Sequence, residues 1–219
     1  QSLREELMHR NRFFPSIDLD LDTLRRALSA LVVSVSDIGD NWYRARIQSH
    51  EGPFTADSMG APPPRLASHG RANPAGIPYL YLGSSKHTSV SEIRPHTGEH
   101  ATVARFVLGA KLQVIDLRDP RRAVSPFPPF FEDEEEIASL RNEISFLQSL
   151  GEELTRPVLP SSAAIDYIPS QYLCEFIKQS GYDGVLYRSS VSEGANLALF
   201  NPSAATPQEV SSHIIERVS

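Results

Sequence analysis

One cysteine, Cys174, is the only thiol in 219 residues, so no disulfide can form within the chain, and the composition suits a reducing cytoplasm. Long apolar runs are missing too. The longest candidate, residues 27–35, contains serines and falls far short of the roughly 20 residues a membrane-spanning helix needs. Gln1 and Ser2 open the chain without Met and without the charged, apolar, small-residue order of a signal peptide, so the expectation is a piece of a longer cytoplasmic protein. Basic charge is in deficit: 21 Lys and Arg against 27 Asp and Glu leave a net charge of −6. That balance argues against a nucleic-acid backbone as partner of this segment. Neither GxGxxG, nor a P-loop, nor the GxSxG elbow occurs. His96, Glu99 and His100 do fit the HxxEH spacing of a zinc-protease helix, but Pro95 precedes them and Gly98 sits between them. A helix does not continue comfortably through that glycine, so a turn is expected and no metal is assigned.

What is present is a 40% apolar fraction, enough to bury one sizeable core. Leucines at 3 and 7, and at 21, 24, 28 and 31, recur at helical spacing, the second set after Asp18 or Asp20 as a cap. The period then changes. Trp42, Arg44 and Arg46 alternate with Tyr43, Ala45 and Ile47, as in a half-buried strand. Residues 48–76 are rich in Pro and Gly, a long loop of the kind that carries function. Strands are expected at 77–82, 101–108, 111–117, 183–187 and 196–200. Helices are expected near 87–94, after the acidic run Glu132–Glu136, after Pro169, and at 208–218. Unequal helices between strands, without a βαβ rhythm, indicate an α+β fold: a mixed central β-sheet with flanking helices.

The densest segment is 70–94, GRANPAGIPYLYLGSSKHTSVSEIR. It joins an arginine in a Gly/Pro loop, an aromatic strand and a carboxylate, Glu92. Together with WYRAR at 42–46, YIPSQYLCEFIKQSGYDGVLYRSS at 167–190 and GANLALFNP at 194–202, it resembles the RES domain, the toxin of bacterial RES–Xre toxin–antitoxin pairs. The resemblance covers about residues 40–202, in order. It departs at Ala72, where the family often has an aromatic residue.

The resemblance implies an ADP-ribosyltransferase-like fold and NAD⁺ as substrate rather than as bound cofactor. It implies cleavage of the nicotinamide–ribose bond by hydrolysis or phosphorolysis. Transfer of ADP-ribose to a protein is the alternative, and a non-catalytic partner-binding or RNA-linked module a second one. Carried onto these positions, Glu92 is the catalytic carboxylate, Arg44 and Arg71 clamp the diphosphate, and Ser189 and Asn196 bond the substrate. Tyr81 stacks on a ring. Arg46 stays open as an exchange for Arg44, and Tyr79 as an exchange for Tyr81, because each pair shares a strand face. The expected division is a helical extension over 1–38, a RES domain over 39–202 with a helical insertion at about 118–160, and a terminal helix in 203–219. Expected partners are an antitoxin or a HEPN-like regulatory module preceding residue 1, with self-association left open and no membrane.

Overall fold

The computed structural model describes residues 3–16, 20–49, 52–123, 145, 147–149, 151–159 and 161–216. The N-terminal helices α1 (Leu3–His9) and α2 (Leu21–Ser29) lie where the leucine spacing places them. Asp20 caps α2, its carboxylate accepting from the N–H groups of Asp22 and Thr23, which would otherwise lack partners. Among the described residues, eight strands form one sheet in the order β1-β5-β6-β7-β3-β2-β4-β8. They are β1 (Val32–Ser34), β2 (Asn41–Ile47), β3 (Leu80–Gly83), β4 (His100–Leu108), β5 (Gln113–Asp116), β6 (Gly184–Arg188), β7 (Ala195–Leu199) and β8 (Ala205–Ile214). Only β5 and β6 run parallel; the other neighbours are antiparallel. The fold is therefore α+β with a mixed sheet, as the spacing of elements indicated.

Strand alternation sorts the core onto two faces. Leu197 and Leu199 of β7 join Trp42, Met59, Leu80 and Phe106 on one side. Ala198 and Phe200 join α2 and a long helix that starts at Ile168, one residue before Pro169 rather than after it, on the other. The helices in between include α3 (Val35–Ile38), α4 (Lys86–Glu92), α5 (Pro120–Ala123) and α6 (Ala163–Asp166), and the long one is α7 (Ile168–Gln179). Leu173, Cys174 and Ile177 of α7 are fully buried against Leu24, Leu28 and Leu31. The segment expected as an extension thus shares the central core, and its residues 32–34 add a strand paired with β5.

Two expectations shift. The terminal helix within 203–219 is strand β8, antiparallel to β4. Val210, Ile214 and Val218 at i, i+4 and i+8 mimic one helix face, but the unpaired edge of β4 decides for a strand, and β-branched residues suit it. β3 starts at Leu80 rather than Ile77, since Pro78 offers no N–H to a ladder. The turn expected at His96 to His100 is present and leads into β4, with Gly98 at φ +89° and the His96 N–H donating to Glu99, so the two histidines share no helix face. The acidic run 132–136 lies outside the described residues. Of the expected insertion, Leu147 and Leu154 are buried in the core.

Candidate active site

The site begins where the sheet opens. Tyr43↔Gly83 is the single registered pair between β2 and β3. Next to it the Arg44 guanidinium occupies the opening, its Nη1 donating to the carbonyl of Tyr81 at 3.1 Å. Arg44 Nε is buried without a hydrogen-bond partner among the described residues. Burial, aided by the positive charge of Arg46, lowers the Arg44 pKa from its ordinary guanidinium value to about 10, with Tyr81 opposing. A desolvated cation with an idle donor is suited to an anionic ligand.

The floor is an in-register row across four strands, Tyr43–Gly83–Asn196–Tyr187. Gly83 leaves room in that row for α4: a Cβ there would lie 2.8 Å from the backbone nitrogen of Ser89. The close approach sets the last residue of α4, Glu92, beside Asn196 and the end of β6. Glu92 Oε1 accepts from Asn196 Nδ2 at 2.6 Å and from Ser189 Oγ at 2.7 Å. Ser189 Oγ in turn accepts from the N–H groups of Val191 and Ser192, at 3.2 and 3.1 Å. Ser189 and Asn196 are buried and Glu92 partly exposed. The carboxylate is thus oriented through one oxygen, and Oε2 accepts from no donor among the described residues.

The opposite wall is the loop 70–73. Tyr81 Oη accepts from the Ala72 N–H at 3.0 Å and donates to Asn73 Oδ1 at 2.7 Å. From α7, Ser170 donates to the Arg71 carbonyl, and Gln171 to the carbonyls of Gly70 and Asn73. Gly70 is obligatory in this contact, because a Cβ would lie 2.4 Å from Tyr81 Oη. The loop holds Arg71 against the Tyr167 ring at 5.5 Å, with donors to the Arg156 carbonyl and Ser190.

These elements enclose a cleft of about 320 Å³ lined by Arg44, Arg71, Tyr81, Glu92, Tyr187 and Asn196 among others. Burial holds the phenols of Tyr187 and Tyr81 well above their ordinary pKa, so both stay neutral. Of the residues singled out in the sequence, Arg44, Arg71, Tyr81, Glu92 and Asn196 line the cleft, and Ser189 stands behind Glu92.

Two do not join them. Arg46 stacks on Phe54 at 4.0 Å and donates to the Ser58 carbonyl on an exposed surface. Tyr79 is a core residue, packed at 5.0 Å on Phe200 and donating to Glu175. The open choices between Arg44 and Arg46, and between Tyr81 and Tyr79, therefore fall to Arg44 and Tyr81 on geometry. Cys174 is inert in this setting, its thiol pKa pushed up by burial.

Sequence reasoning passed over Tyr187, Tyr167 and Asn73. Tyr187 was legible, since it ends the expected strand 183–187 two residues before Ser189. Asn73 and Tyr167 carried no such signal, because their positions depend on how the loop meets α7.

The RES domain family model matches residues 41–216. Among solved structures, the chain is similar to the crystal structure of the M. tuberculosis MbcT–MbcA toxin–antitoxin complex, at 14% identity and a TM-score of 0.46, covering 88% of this chain and 93% of that one. No curated protein matches.

Proposed function

Because the chain belongs to the RES domain family, we propose that it breaks the bond between nicotinamide and ribose in NAD⁺, acting as the toxin of a toxin–antitoxin pair in the cytoplasm. The observation that carries this reading is Glu92, oriented by Ser189 and Asn196 at the floor of a cleft whose other side presents Arg44 and Arg71. A dinucleotide brings a diphosphate, a ribose and a cationic pyridinium ring. Two guanidinium groups suit the diphosphate, neutral aromatic faces suit the ring, and a carboxylate suits the ribose.

In the proposed reaction the C1′–N bond breaks heterolytically. Its electron pair leaves with nicotinamide, which departs neutral, and positive charge passes to the ribose as an oxocarbenium-like species. Glu92 stabilises that charge with a carboxylate already fixed in place, so little reorganisation is needed as the charge develops. An oxygen of water or phosphate then bonds to C1′ and loses its proton to solvent.

The test is to incubate the whole chain with NAD⁺, with and without phosphate, and resolve the products by mass. Free nicotinamide with ADP-ribose indicates hydrolysis, and free nicotinamide with ADP-ribose phosphate indicates phosphorolysis. ADP-ribose attached to protein reassigns the acceptor. No release of nicotinamide under any condition overturns the proposal.

A further inference from the structure

Strand β8 ends the sheet, and its outer side is unpaired among the described residues. Backbone alternation shows which of its groups are free. The Gln48 N–H donates to the His100 carbonyl, which turns His100 toward β2 and Ala101 and Val103 toward β8. At the strand's end the Ile215 N–H donates to the Glu99 carbonyl. Residues 211, 213 and 215 therefore direct their N–H and C=O groups to β4, whereas Val210, Ser212 and Ile214 direct theirs outward. A register shift between Ala104 and Phe106 interrupts the ladder before Val210 and confines the regular edge to 210–214. Long edges are ordinarily blunted by Pro, Lys or bulges. The devices here, Pro207 and the shift, precede that stretch, and it carries the exposed Ile214.

We propose that this edge pairs with a second copy of the chain, antiparallel about a twofold axis at Ser212. Antiparallel ladders form only between outward-facing residues. Centring on Ser212 satisfies this throughout, with Ser212 opposite Ser212 and Val210 opposite Ile214 in both directions. Each such pair exchanges two N–H···O bonds. The side chains also match. Val210 is half-buried on the core and gives the second copy's Ile214 an apolar neighbour, while Ser211 meets His213.

Charge is compatible, since Glu209 falls opposite Ile215 and Glu216 opposite Gln208, so no two acids face each other. The overlap spans only residues 208–216, which places the interface near or below the ~1,200 Å² of small transient complexes. A concentration-dependent dimer with Kd on the order of micromolar follows. The strands that line the catalytic cleft are β2, β3, β6 and β7, so the dimer edge does not draw on them.

Sedimentation equilibrium of the whole chain over a concentration series, repeated on Ser212→Pro, tests this. The Ser212 N–H points outward, so proline removes the central inter-chain donor without taking one from β4, and edge strands tolerate it. The parent is expected to show a monomer–dimer equilibrium, and Ser212→Pro a monomer with unchanged circular dichroism. Should proline unfold the chain, Ile214→Lys, on an exposed side chain, serves in its place. A parent that stays monomeric to about a hundred times the expected Kd, or a dimer that survives in a folded variant, overturns the proposal. A dimer of that kind belongs to another surface, and an edge filled only by a different protein refutes self-pairing equally.

Discussion

Replacing Glu92 by Gln and by Ala separates its chemical role from its structural one. In the parent, Oε1 accepts two hydrogen bonds, from Ser189 Oγ and Asn196 Nδ2. Glutamine can keep an oxygen there and retain both donors, losing only the charge. Bonds to a charged acceptor contribute about 1.5–3 kcal/mol and neutral ones about 0.5–1.5. The loss is therefore about 1 kcal/mol per bond, or roughly 2 kcal/mol in all.

For a chain of this length that lowers Tm by roughly 4–8 °C. Alanine instead strands two donors on residues only 8% and 6% exposed. At about 1–3 kcal/mol each, the cost is roughly 4 kcal/mol, or about 8–16 °C. Turnover should fall by roughly 10²–10⁴ in both variants, because neither supplies a carboxylate to the ribose cation. Nicotinamide release and differential scanning fluorimetry on the same preparations read both quantities. A Glu92→Gln variant with the expected Tm and turnover within about tenfold of the parent would refute the carboxylate's role. Equal melting of Gln and Ala would refute the two-bond account of its placement.

Tyr81→Phe leaves the Ala72 N–H and Asn73 Oδ1 without the hydroxyl that joins them. It should cost about 1–3 kcal/mol and raise KM more than it lowers kcat, which steady-state kinetics with thermal melting can check. Arg44→Met should keep Tm at or above the parent's while abolishing the thermal shift caused by NAD⁺. The folded pKa of about 10 lies below the ordinary guanidinium value, so the burial cost of the charge is present in full below about pH 10 and fades as pH rises above it toward that value. The parent should therefore gain stability relative to Arg44→Met over that window, and a gap that widens instead would refute the desolvation. Arg46→Ala, outside the cleft against Phe54 and Ser58, should leave turnover unchanged; a large loss would return Arg46 to the site.

Much of the site was legible because its residues sit in short segments whose local character is strong. Glu92 follows a capped helix start at Ser85, whose side chain accepts from the Thr88 N–H, and Arg71 stands in a loop dense in Gly and Pro. What stayed hidden were contacts between segments far apart in the chain. Asn73 is shaped by Tyr81, Gln171 and its own turn, donating to the carbonyls of Ser68, Pro74 and Ile77. Nothing in its neighbours along the chain announces this. The misassigned end, whose residues 208–214 belong to β8, failed for a different reason. Apolar residues four apart fit a helix face and also every second outward position of a strand, so periodicity alone could not choose.

The chain's own order of residues therefore determined the fold class, most of the elements, the family and a short set of polar candidates, since hydrophobic period, caps and motif spacing are local properties. Tertiary structure alone decided which member of each same-face pair reaches the cleft. Arg44 lies at the opening beside the lone β2–β3 pair and Arg46 beyond it, while Tyr81 meets the 70–73 loop and Tyr79 meets Phe200. It also decided that Ser189 serves Glu92, because that hydrogen bond spans 97 positions of sequence. Alternation gives two residues on one strand face the same direction; only the neighbours brought in by other strands and helices give them different surroundings.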